Sequence, residues 1–91
     1  MAALNEEKIS PDQKRVEINI FGEVYRLRTD DPETLMKCAQ MVDSTMKSAS
    51  QDTRTFAGSR IAVLAALKIA ENYMQLKKDY DEILALLNEH R

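Results

Sequence analysis

Residues 60–91 read RIAVLAALKIAENYMQLKKDYDEILALLNEHR, without a glycine or a proline and rich in strong helix formers. The spacing predicts one helix from about Arg60 to the end of the stretch. Its first part, Ile61 to Leu67, is apolar nearly all round and is expected to be buried on more than one side. Beyond it a heptad register runs. Ala66, Tyr73, Tyr80 and Leu87 repeat every seven residues, and Ile69, Leu76 and Ile83 fall between them at alternating steps of three and four. These are the a and d positions of a coiled coil, with His90 the next d residue. A helix of about 32 residues is a rod close to 50 Å long, whereas a compact globule of this chain length is only about 30 Å across. The rest of the chain cannot cover it. Ile69, Tyr73, Leu76, Tyr80, Ile83 and Leu87 are therefore expected at an interface with another copy, in a homodimer. Leu84 and Leu86 widen the stripe, which admits a homotetramer.

Upstream, Gln51 to Gly58 breaks the helical pattern and is expected to connect two helices. Phe56 would anchor this loop to the core, and Ser59 would cap the long helix. Before it, Asp31 is a good N-cap, Pro32 suits the first helical position and Glu33 favours the positive end of the helix dipole. Leu35, Cys38, Ala39, Val42, Met46 and Ala49 then form one apolar stripe. Lys37, Gln40, Asp43, Ser44 and Lys47 are expected on the solvated side.

Further back, Val16, Ile18 and Ile20 alternate with Glu17 and Asn19, the mark of a half-buried strand. Gly22-Glu23 suits a two-residue hairpin loop with glycine first. That turn sets Ile20 opposite Tyr25, Ile18 opposite Leu27, Asn19 opposite Arg26 and Glu17 opposite Arg28. The apolar pairs share one face, which needs a helix over it. The fold class expected is α+β: an N-terminal β-hairpin packed on a helix, then a long C-terminal helix forming an intersubunit coiled coil. The expected divisions are a flexible tail over 1–14, a globular ββα head with the start of the long helix over 15–68, and a coiled-coil helix over 69–91.

The 91 residues are 44% hydrophobic and 31% charged, with a net charge of −2. An acidic balance argues against nucleic acid and against an anionic membrane surface as partner, and so against a dimeric nucleic-acid-binding regulator. One cysteine, Cys38, allows no internal disulfide and reads as a small buried residue. The N-terminus lacks a basic and an apolar segment of the signal-peptide kind, and no apolar run is long enough to span a bilayer. The chain is expected to be cytoplasmic. One histidine, one cysteine and scattered carboxylates make no catalytic constellation, metal spacing or phosphate loop. No enzyme activity, cofactor or metal is expected. Asp30-Asp31 is acidic enough to suggest a cation, but helix capping accounts for it. What remains is exposed positive charge on the head: Arg26 and Arg28 on the solvent face of the hairpin, and Arg54 and Arg60 flanking the loop. In an oligomer such a face is presented at least twice, which suits cross-linking of a polymer.

The hairpin sequence Val16-Glu17-Ile18-Asn19-Ile20-Phe21-Gly22-Glu23-Val24-Tyr25-Arg26-Leu27 resembles the opening hairpin of the ZapA family of bacterial cell-division proteins. Arg60-Ile61-Ala62-Val63-Leu64-Ala65-Ala66-Leu67-Lys68-Ile69-Ala70 with Tyr73-Met74-Gln75-Leu76-Lys77 resembles the start of that family's long helix. The resemblance spans about Val16 to Ile83. It implies a non-enzymatic protein at the mid-cell division site that binds the tubulin-like GTPase FtsZ, bundles its filaments and stabilises the division ring. It further implies dimers through head and coil, which can join as tetramers, and FtsZ contact through charged residues of the head. Arg26 matches a basic position of the second strand, and Arg54 falls near one in the loop. Glu23 stands where some members carry a basic residue, Lys68 replaces an asparagine common after the AAL triplet, and the helix is that of a short form. Composition and periodicity alone do not name FtsZ; on those grounds the alternative is a homo-oligomeric coiled-coil adaptor for another cytosolic partner.

Overall fold

The computed structural model describes residues 13–53 and 57–89. The expected tail up to residue 12, Arg54, Phe56 and His90 lie outside them. Two strands, β1 (Lys14–Ile20) and β2 (Glu23–Thr29), form an antiparallel hairpin, followed by helices α1 (Pro32–Asp52) and α2 (Gly58–Glu89).

The hairpin turns one residue earlier than the sequence suggested. Ile20 pairs with Glu23, Asn19 with Val24, Ile18 with Tyr25, Glu17 with Arg26 and Val16 with Leu27. The two loop residues are therefore Phe21 and Gly22, both at positive φ (51° and 82°). That is a type I′ turn, whose twist matches the strands. The expected pairing and the observed one differ by two residues, so every side chain keeps its face. Alternation alone cannot separate them. The choice is made by tertiary contacts of the turn. The Phe21 N–H donates to Asp43 Oδ1 of α1 at 2.7 Å, and the Phe21 ring packs against Met46, Ile61 and Ala65. Asp43, expected on the solvated side of α1, is thus a tertiary acceptor, held in place by Lys47 at 2.8 Å.

The start of α1 follows its sequence. Thr29, fully buried, accepts the Asp31 N–H on Oγ1 at 2.9 Å. Asp31 Oδ1 accepts the Thr34 N–H at 3.1 Å and Oδ2 the Thr34 hydroxyl at 2.6 Å. Pro32 fills the first turn, where a missing N–H leaves nothing unsatisfied. Both bonds hold the Asp31 carboxyl below the usual carboxylate range, the Thr34 hydroxyl most. Leu35, Ala39 and Met46 are buried, with Cys38, Val42 and Ala49 half-buried beside them, so the predicted stripe is the one that packs.

Helix α2 begins at Gly58, ahead of Ser59. The Ala57 carbonyl accepts the Arg60 and Ile61 N–H groups, both at 3.1 Å. Ile61 and Ala65 are the buried residues of α2 and join it to Met46 and to the hairpin turn. Within one chain, only one side of the expected all-round apolar segment is covered: Val63, Leu64 and Leu67 remain exposed.

Candidate functional site

Period-two geometry divides the hairpin into two faces. The inner one carries Val16, Ile18, Ile20, Tyr25 and Leu27 toward α1. Helix α1 covers it in part, leaving an open apolar groove of about 800 Å³ between Ile18, Tyr25, Leu27, Leu35, Cys38 and Ala62. Cys38 is a free, half-buried thiol on this groove. The outer face presents three rungs: Arg15 opposite Arg28, Glu17 opposite Arg26, and Asn19 opposite Val24.

On that face the Arg26 Nε lies 3.6 Å from Glu17 Oε2, with both side chains largely in solvent. An exposed pair of this kind contributes about 0–1 kcal/mol, so Arg26 exchanges its partner at little cost. Arg28 lies on the same face. Glu23, whose charge would weaken a basic face, has the parity of the inner side and borders the groove instead. Arg60 is exposed on the first turn of α2, the helix packed beyond the inner face, so it does not join Arg26 and Arg28 in one patch. Arg54 is outside the described residues. Lys14, expected in the tail, is the first residue of β1, and Arg15 after it belongs to the outer face, one residue ahead of the strand expected from Val16. The clue was the same alternation carried one step back, Arg15-Glu17-Asn19.

The second exposed surface is the distal half of α2. Tyr73, Leu76, Tyr80, Ile83, Leu84 and Leu87 are all exposed, Leu76 by 68%. Ile69 is half-buried. Gln75 donates to Asp79 at 3.0 Å and Lys77 lies 3.3 Å from Asp81, so polar groups pair along the rod while its apolar residues stay open. Among the described residues, no group of three or more His, Cys, Asp and Glu side chains could hold a metal ion. No helix among them is long and apolar enough to cross a membrane.

The family model described as cell division protein ZapA matches residues 16–90. The ZapA of Geobacillus sp. (strain WCH70) is 32% identical over 78 residues, covering 85% of this chain and 90% of the relative. That of Geobacillus thermodenitrificans (strain NG80-2) is also 32% identical over 78 residues, covering 85% and 86%. Among solved structures, a ZapA mutant dimer from Geobacillus stearothermophilus matches with a TM-score of 0.66 at 27% identity, over 89% of this chain and 95% of that one.

Proposed function

The chain belongs to the cell division protein ZapA family, and from that premise we propose that it binds FtsZ, cross-links and bundles its filaments, and stabilises the division ring at mid-cell. It does so in the cytoplasm as a non-enzymatic homodimer, able to pair further into a tetramer. The observation that carries this reading is the open apolar side of α2 from Tyr73 to Leu87. Burying each large apolar side chain there is worth about 1.5–3 kcal/mol. A second copy laid along the rod through Ile69, Tyr73, Leu76, Tyr80, Ile83 and Leu87 supplies that burial, and a dimer is the form named for the solved relative. Pairing the rods places two identical heads on one particle. Each head offers the outer hairpin face, with Arg26 and Arg28, to a filament, and Arg54 and Arg60 stand as further contacts. Two heads on one particle bridge two filaments, and each weak contact raises the effective concentration of the next.

Co-sedimentation with polymerised FtsZ, read together with light scattering, tests the reading. The chain is expected to pellet with filaments and to raise the scattering as bundles form. Arg26→Glu is expected to keep the fold and the dimer and to weaken pelleting, since it sets a second carboxylate beside Glu17. Absence of pelleting and bundling by the parent chain at physiological salt would leave the coiled-coil adaptor for another partner as the better account.

A further inference from the structure

The rung nearest the open end of the hairpin sets two arginines against each other. Arg15 and Arg28 are direct partners across the antiparallel strands, where opposed Cβ atoms stand about 4.5–5.5 Å apart. Like charges so placed destabilise a sheet. The next rung is balanced: Arg26 has Glu17 at 3.6 Å. No carboxylate reaches Arg15 or Arg28 within ion-pair distance among the described residues. A cleft of about 540 Å³ at this end of the hairpin is bordered by these four charged residues together with Val16 and Leu27 of the inner face. This face therefore carries three cations and one anion, on a chain whose net charge is −2.

We infer that Arg15 and Arg28 together form a carboxylate-binding pair, which takes an acidic side chain of a protein partner laid along the outer face of the hairpin. The partner's identity as a filament rests on the function proposed above; the carboxylate chemistry does not. Guanidinium forks match carboxylate oxygens with two parallel hydrogen bonds, and an incoming carboxylate removes the repulsion between the two arginines. The choice of an acidic protein over a nucleic acid follows from the next rung, about 6.8 Å away along the strands. There Glu17 would repel a continuous phosphate backbone, whereas a protein segment can place a neutral or apolar residue at Glu17 and reach Val24 beyond it.

The experiment uses the full chain and a fluorescent oligoglutamate peptide, followed by anisotropy at low and physiological salt. A short DNA duplex serves as competitor, and FtsZ pelleting is run in parallel. The parent is expected to bind the peptide with an affinity that falls with salt. Arg15→Glu and Arg28→Glu should each weaken peptide binding about tenfold or more and reduce pelleting. Each variant also converts a repelling rung into an attracting one, so its Tm should stay level or rise. Loss of binding without loss of stability is an outcome that a merely structural role would not produce. Equal peptide binding by parent and variants, no binding by the parent, or displacement of the peptide by duplex DNA at lower charge concentration each overturns the pair as a carboxylate site. Variants that lose the peptide but pellet normally overturn its use in filament contact. If the parent binds peptide but does not pellet with FtsZ, the filament reading fails while the peptide arm still decides the arginine pair.

Discussion

Phe21 holds a backbone angle that an aromatic residue rarely adopts, φ 51°, because two contacts repay the strain. Its N–H donates to Asp43 and its ring fills the junction of hairpin, α1 and α2. Gly22 beside it is at φ 82°, and a methyl group added there meets nothing within 4 Å. Gly22→Ala should therefore lose about 1 kcal/mol by backbone strain alone. Gly58→Ala, equally uncrowded but without positive φ, should gain about 0.4–1 kcal/mol by restricting the unfolded chain. Urea unfolding at one protomer concentration separates the two signs. Asp43 makes the junction sensitive to acid. Lys47 first, then the Phe21 N–H, hold its carboxyl below the ordinary value of 3.8. A carboxyl depressed on folding contributes stability that is complete above the unfolded value and is lost as pH falls through the folded one. Tm should thus drop as the solution is acidified below about pH 4. Asp43→Asn should lower Tm at neutral pH and flatten that acid limb, with the remaining slope shared by Asp31, which Thr34 depresses in the same direction.

At the scale of elements, Ile61 decides whether the rod is fixed to the head. It is 2% exposed and meets Met46 of α1 in the core cluster. Ile61→Ala should remove about 2–5 kcal/mol, seen as a lower urea midpoint at fixed protomer concentration, while the heptad residues beyond it are untouched. The elements were legible in the sequence where their ends carried chemistry. Asp31-Pro32 placed the start of α1, and the stripe from Leu35 to Ala49 gave its buried side. The strand register was not legible, since a slip of two residues leaves every face unchanged and the Phe21-Gly22 turn is chosen by Asp43, a contact 22 residues away. Asp43 itself looked solvated for the same reason: helical periodicity reports which side of α1 is apolar, and cannot report which polar group reaches a neighbouring turn. Of the outer face, Arg26 and Arg28 were readable from alternation. Arg15 needed the extra residues of β1, and only the true register sets it against Arg28.

For the whole molecule the governing quantity is the mismatch between a rod and the head that must cover it. Helix α2 has 32 residues, about 48 Å of helix, and the radius of gyration is 17.0 Å where a compact chain of this length has about 12 Å. This mismatch was visible in the sequence, because it depends on length and on the absence of a helix breaker between Ile61 and Leu87. Ile83 lies far along the rod, on a d position, 57% exposed in one chain. Within the single chain it touches no core cluster, so Ile83→Glu leaves the head and its junction intact. Paired rods would bury it twice, once per copy. Losing each side chain removes about 2–5 kcal/mol, so dimer association should weaken about a thousandfold or more, and burying the new carboxylate adds to the loss. Sedimentation should show the parent as an oligomer and Ile83→Glu as a monomer at the same concentration, with circular dichroism reporting a frayed distal helix but an intact head. A variant that sediments like the parent would show that the copies meet on another side of α2, with Leu86 and Met74 as the next residues to substitute.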